Sequence, residues 1–291
     1  MTQYKLIAVD VDGTLLTSKG TIADRTRRAL RAATEGGLHV AVATGRRRRT
    51  AEPILEQLAV PHFLVASQGA AIWQDGHILF HSHLPAQNAR LALDIIRRHG
   101  LTAIVLGNAL RDDVIWVDGD VQANERIAAY LSRNKQVVRP FSTEAFEHDP
   151  IEFILMDSVE RLEAVDRALT GHVPPPPSED APAQSGPEET GALWRVIFSR
   201  NQFTAGAALE IVGPETSKAA ALAFLCARLD ITPQQVIAFG DNVNDDEMLE
   251  FAGVGVAMGN ATADAQAAAA RIAPSNDDDG IAIVLEEMRI V

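Results

Sequence analysis

The sequence predicts an α/β fold, a doubly wound parallel sheet interrupted by an inserted α+β domain. Two observations carry that prediction. Short apolar runs alternate with helical stretches near both ends of the chain, the pattern of strand–helix–strand units that build a parallel sheet. The alternation stops near Pro85 and returns after Gly213, and strand-like runs with fewer helices lie between. A length of 291 residues fits about two domains. A chain of this size buries roughly three quarters of its unfolded surface, so it needs no staples.

In order, Leu6 to Val9 is an apolar run suited to a strand buried on both faces. A helix is expected from about Ile22 to Glu35, opened by Thr21 and Asp24 as a capping box and closed by Gly36-Gly37. Leu38 to Ala43 is a second buried strand, Ala51 to Leu58 a helix, and Phe63 to Ala66 a third strand. Ala71 to Gln74 and His77 to Phe80 flank Asp75-Gly76, a hairpin signal. In the insertion, helices are expected at Ala86 to His99, Gln122 to Ser132 and Val159 to Leu169. Strands are expected at Leu101 to Leu106, Val114 to Val117, Glu152 to Met156, Leu193 to Ser199 and Ala208 to Val212, forming an antiparallel sheet. Residues 173–192 hold Pro174 to Pro177, Pro182 and Pro187 among Ser, Gly and acidic residues. That composition predicts a disordered surface loop, with a proline docking motif as the alternative.

The alternation then resumes with a helix Ser217 to Leu229, strand Gln235 to Phe239, helix Asp245 to Phe251 and strand Val254 to Ala257. Helices at Thr262 to Ala270 and Gly280 to Met288 end the chain. The expected division is a discontinuous core, 1–83 and 209–291, around an inserted domain, 84–208.

Composition excludes several classes. Hydrophobic residues make up 47% and charged residues 22%, as in ordinary globular chains and unlike disordered or fibrous ones. A net charge of −13 disfavours general binding of nucleic acid or anionic lipid. The basic run Arg46 to Arg49 is therefore expected to be a solvated helix start. A single cysteine, Cys226, excludes a disulfide framework and suits a reducing cytosol. No apolar run reaches the 18 or so residues of a membrane helix, and no signal-peptide core precedes Asp10. The expectation is a cytoplasmic protein with a small-molecule substrate; nothing in the sequence sets an oligomeric state.

Four segments carry chemistry. Asp10-Val11-Asp12-Gly13-Thr14 ends the first strand, and ligands of open parallel sheets sit at the carboxyl ends of strands. One carboxylate of such a pair can attack an electrophile while the other moves protons. Taken alone, the segment also reads as a solvated Asp-Gly turn. Thr44-Gly45-Arg46 ends the second strand, where a hydroxyl and a backbone N–H suit an anion, or a plain turn. Lys218 opens a helix, where a cation opposes the macrodipole; an anionic ligand would explain it, or it is a plain exposed lysine. Gly240-Asp241-Asn242-Val243-Asn244-Asp245 offers only oxygen ligands, suited to Mg²⁺ or, alternatively, to capping a helix. All four lie where they could converge, and together they suit metal-assisted phosphoryl transfer.

As an ordered set these segments resemble the four motifs of the haloacid dehalogenase (HAD) superfamily. The insertion resembles the type-IIB cap of its Cof-type phosphatases. Phe239 to Leu249 and Val254 to Asn260 resemble that subfamily's C-terminal signature. The resemblance implies a Rossmann-like core and a cap that reads the leaving group. It makes Asp10 the nucleophile and Asp12 the general acid and base. Thr44, the N–H of Gly45 and Lys218 would hold phosphoryl oxygens, with Arg46 in the same phosphate-binding set. Asp10, the carbonyl of Asp12 and Asp241 would bind Mg²⁺, with Asp245 helping through water. Asn244 would touch phosphate or the metal's surroundings. An acidic residue two after the nucleophile favours phosphate chemistry, since the superfamily's dehalogenases lack it. Gln68 stands where the subfamily usually has Asn, and Ala219 follows Lys218 where Gly is frequent.

The resemblance implies a phosphatase acting on a small phosphate monoester: a sugar phosphate, nucleotide, pyridoxal phosphate or flavin precursor. One rival is a phosphomannomutase-like isomerase, which needs a second phosphate site from Arg90, Arg97, Arg98, Arg111, Arg126, Arg133 or Arg139. The other is a non-catalytic sugar-phosphate sensor, which predicts eroded motifs; all four are intact. His81 and His83 are expected to be surface residues, Asp277 to Asp279 to complement the dipole at the start of the last helix, and Cys226 to pack in the core.

Overall fold

The chain alternates strand and helix as far as Ser82, and the computed structural model describes residues 4–108, 113–122, 124–172, 192–200 and 206–291. Residues 173–191 of the Pro-rich stretch, and Arg111, lie outside the described residues. The first segment runs β1 (Leu6–Asp10), α1 (Asp24–Glu35), β2 (His39–Ala43), α2 (Arg48–Leu55), β3 (Phe63–Ala66), β4 (Ala71–Gln74) and β5 (His77–His81). The inserted segment runs α3 (Ala86–Arg98), β6 (Ala103–Leu106), β7 (Ile115–Asp118), α4 (Glu125–Arg133), β8 (Val138–Pro140), β9 (Glu152–Asp157), α5 (Val159–Thr170), β10 (Arg195–Arg200) and β11 (Ala207–Val212). The return runs α6 (Lys218–Leu229), β12 (Val236–Gly240), α7 (Asp246–Phe251), β13 (Val254–Ala257), α8 (Ala263–Ala268), β14 (Arg271–Ile272) and α9 (Gly280–Glu287).

The core sheet has the order β14-β13-β12-β1-β2-β3-β4-β5. Strands β14 to β3 are mutually parallel, and the β4–β5 hairpin adds two antiparallel strands at one edge. Asp75 and Gly76 turn that hairpin with φ of 49° and 80°, as a two-residue Asp-Gly turn requires. Alternate residues of β1 face opposite ways. Ile7 and Val9 pack with Leu30 of α1 and Leu285 of α9, while Leu6 and Ala8 pack with Leu222 of α6 and Met248 of α7. That two-sided burial is why the strand reads as unbroken apolar sequence.

Strand β1 lies between β12 and β2, where the winding direction changes. Register pairs Val9 with Phe239, and Asp10 with Ala43. The loops after all three strands therefore leave the same edge, the place where such sheets bind ligands.

The inserted unit is a six-stranded sheet of order β10-β11-β9-β6-β7-β8. Helices α3 and α5 bury Leu93, Ile96, Leu162 and Val165 against Phe153 and Leu209 on one face, and α4 covers Ile104 and Ile115 on the other.

Three expectations need correction. The inserted sheet is not wholly antiparallel, because β8 joins β7 in parallel after the α4 crossover. The core does not resume at 209. β11 pairs with β9 and β10 and buries Leu209 in the inserted unit, so the units divide as His83–Glu215 against the rest. The Thr21–Asp24 capping box does not form. Thr21 is tied back to Thr17 in the preceding turn, Ala23 caps α1 without a side-chain bond, and Asp24 pairs with Arg27.

Candidate active site

Asp10 ends β1 and is only 5% exposed. Its Oδ1 accepts a 2.6 Å hydrogen bond from Lys218 Nζ, which also donates to Asp245 Oδ1 at 2.6 Å. Lys218 is the first residue of α6. Ser217 caps that helix, its Oγ accepting from the Ala220 N–H at 3.1 Å. Lys218 is buried rather than exposed, and no outside anion is needed to explain its charge. The structure supplies two buried carboxylates of the protein itself. Burial opposes the charge on Lys218, but Asp10 and Asp245 outweigh it and hold the ammonium well above its usual range.

Asp245 is fully buried and committed on both oxygens. Oδ2 accepts from the backbone N–H of Asp241 at 3.0 Å and of Asn242 at 3.2 Å, folding the loop after β12 around it. Asp241 leads that loop, and its Oδ1 accepts from Thr14 Oγ1 at 3.1 Å. Burial, then the charge of Asp245, pushes the Asp241 carboxyl up to about 7. Burial likewise raises Asp10, with Asp245 and Asp241 adding to it and Lys218 opposing.

Among the described residues, Asp10, Asp241 and Asp245 each place a carboxylate oxygen within 4.8 Å of the others. One ammonium, bonded to two of these three acidic groups, leaves the cluster short of positive charge. The donors are all hard oxygens. Both features fit a divalent cation of the Mg²⁺ kind. Because Asp245 already serves Lys218 and two N–H groups, Asp10 and Asp241 are the direct ligand candidates. Gly13 permits this closeness: its φ is +90°, and a Cβ there would lie 2.3 Å from Asp241 Oδ2.

Thr44 follows β2 and is buried. Its Oγ1 accepts from the Arg46 N–H at 3.0 Å, so its own hydrogen is available to an outside acceptor. Arg46 turns to Asp12, donating from Nε at 2.6 Å and from Nη2 at 2.5 Å. Asp12 is thus not among the clustered carboxylates; its side chain is 56% exposed and gripped by a guanidinium fork. The rest of the basic run is mixed, with Arg49 exposed at the start of α2 as expected. Arg47 is buried, and Arg48 pairs with Glu52 and lies over Trp73.

Gln68, which stands where the subfamily usually has Asn, reaches Asn244 with its longer side chain. It is buried in the turn after β3, with φ of 58°, and its Oε1 accepts from Asn244 Nδ2 at 3.0 Å. Gly45 packs against the same amide, where a Cβ would come within 2.4 Å of Nε2.

Sequence reasoning missed the outer ties of the β1 loop. Asn260 donates to the Gly13 carbonyl at 2.8 Å, and Asn276 donates to that of Leu16 at 2.7 Å. Asp277 accepts from the Ser18 N–H at 2.8 Å, so it also fastens this loop. Thr14 and Asn260 stood inside recognised motifs, the one available signal. His83 lies beyond β5 and pairs with Asp149 in the inserted unit, and Cys226 is buried in the core. Of the inserted arginines, Arg97 forks onto Asp118, Arg126 donates to the Ala207 carbonyl, and Arg90 lies over Phe146.

The family profile described as haloacid dehalogenase-like hydrolase matches residues 7–285. The chain belongs to the haloacid dehalogenase-like hydrolases. It is an enzyme of the HAD superfamily's phosphatase branch. The chain is similar to the phosphatase YwpJ of Bacillus subtilis (strain 168), at 30% identity over 98% of this chain and 99% of that one. It is also similar to that organism's 5-amino-6-(5-phospho-D-ribitylamino)uracil phosphatase YcsE, at 28% identity over 96% and 93%. The solved HAD subclass IIB sugar phosphatase BT4131 shares the fold, with a TM-score of 0.76 at 21% identity over 99% and 100%. The fold of this HAD hydrolase is thus one that a solved phosphatase also adopts. Among its described residues no helix is long and apolar enough to cross a membrane.

Proposed function

We propose that this HAD hydrolase is a Mg²⁺-dependent phosphatase that releases phosphate from a small organic monoester through an aspartyl-phosphate on Asp10. The observation that carries the reading is the buried chain Asp10–Lys218–Asp245 beside Asp241. It holds an oriented carboxylate next to an ammonium and an oxygen-only cation site, the parts phosphoryl transfer needs. An oxygen of Asp10 attacks phosphorus in line, and the bond to the leaving oxygen breaks as Asp12 gives that oxygen a proton. A water then attacks the phosphoryl group, gives its proton to Asp12, and breaks the bond to Asp10. Lys218, the Thr44 hydroxyl and the Gly45 N–H neutralise and orient the phosphoryl oxygens. Asn244, held by Gln68, lies in the same loop as Asp241 and would touch phosphate or the surroundings of the metal. A bound cation supplies charge neutralisation for the same oxygens.

The substrate is proposed to be a sugar phosphate, a nucleotide, pyridoxal phosphate or a flavin precursor. The similarity to the ribitylaminouracil phosphatase puts that ester first in a test panel. Phosphate release should vanish in EDTA and return with Mg²⁺. Ca²⁺, which prefers more ligands in a looser geometry, should bind without restoring turnover. Full activity in EDTA after dialysis would remove the metal assignment.

A further inference from the structure

We propose that Arg46 is a positioning residue that acts through Asp12 and does not itself grip the phosphoryl group. The inference rests on the reading of Asp12 as the proton carrier. Asp12 is more than half exposed, and a carboxylate so placed is otherwise free to rotate. Among the described residues, the hydrogen bonds that fix its side chain are the two from Arg46. A guanidinium presents its donors in a rigid plane, so two parallel bonds set direction as well as distance.

The fork is itself anchored. The Arg46 N–H donates to Thr44 Oγ1 at 3.0 Å, and its carbonyl accepts from the Ser67 N–H at 2.9 Å. The turns after β2 and β3 therefore fix where the guanidinium starts. The pair can open at one oxygen and stay closed at the other, so Asp12 keeps its direction while it moves a proton. A residue bound to the substrate's phosphate would aid every ester alike. One that acts through Asp12 should matter most where the leaving oxygen needs a proton.

A double-mutant cycle separates these cases. kcat/KM is measured for wild type, Arg46→Gln, Asp12→Asn and the double variant, on a sugar phosphate and on p-nitrophenyl phosphate. Misdirecting a catalytic group can cost about 10²-fold, the loss expected for Arg46→Gln on the sugar phosphate. The loss on p-nitrophenyl phosphate should be much smaller. In the Asp12→Asn background, Arg46→Gln should change either rate by less than about twofold, the scatter of independent sites. Arg46→Lys, which keeps the charge but not the fork, should recover only part of the loss. It also carries the same cycle if Arg46→Gln fails to fold. Equal losses in both backgrounds, or a rise in KM common to both esters, would overturn the proposal and leave the phosphatase reading standing. A wild type inert on every ester would overturn both.

Discussion

Asp10 and Asp12 stand two residues apart and meet opposite surroundings. Asp10 is 5% exposed and bonded to a buried ammonium, whereas the Asp12 side chain is 56% exposed. The difference predicts different losses. Asp10→Asn should abolish turnover of every ester. Asp12→Asn should lower kcat/KM much more for a sugar phosphate, whose alkoxide must be protonated as it leaves, than for p-nitrophenyl phosphate. General acids contribute about 10²–10⁴-fold, and kcat/KM excludes the later step in which Asp12 acts as base. Equal losses on both substrates would show that Asp12 is not the proton donor. Lys218→Met leaves two carboxylates buried without their cation, and denaturant unfolding should show a loss of about 3 kcal/mol or more. An unchanged midpoint would mean that the pair adds no net stability. The charged residues of the site were legible because motif spacing marks them. Their partners were not, since Thr14 meets Asp241 across 227 residues and Arg46 meets Asp12 across 34.

Elements set these residues by where they start and stop. The N-cap of α6 puts Lys218 in its first turn, so Ser217→Ala should cost about 1 kcal/mol in unfolding experiments. If the midpoint does not move, another group caps the helix. At the end of β1, a side chain at Gly13 would strike the Asp241 carboxylate. Gly13→Ala should therefore weaken Mg²⁺ binding by calorimetry, and unaltered affinity would place the cation elsewhere. Buried strands such as Phe63–Ala66 and Val254–Ala257 were legible as apolar runs between turn residues. β8 and β14 were not, at three and two residues, because a ladder so short comes from tertiary pairing rather than local pattern. The Thr21–Asp24 signature misled for a related reason: a hydroxyl that caps a helix can equally close the turn before it.

The whole molecule is a core interrupted by an insertion. The interruption was legible as a change of alternation, and Ala208 to Val212 as a strand of the inserted sheet, but the boundary at 209 cut through that strand, which belongs to the inserted unit to its end. The pH dependence of stability belongs to this scale. With Asp241 moved from 3.8 to about 7, the folded state keeps a proton that the unfolded state has lost. Metal-free protein should therefore lose stability as pH rises through that window. A divalent cation displaces the proton, so the Tm gained from Mg²⁺ should be larger at about pH 8 than at about pH 6. Equal gains would mean that Asp241 is not a ligand. The central claim, phosphate release through attack by Asp10, is tested most directly by one comparison. Wild type and Asp10→Asn are assayed side by side, with Mg²⁺, for phosphate release from a panel of small monoesters. The account predicts release by the wild type from at least one ester and none by Asp10→Asn, with both proteins folded. Release by Asp10→Asn at a comparable rate, or by neither protein from any ester, would contradict it.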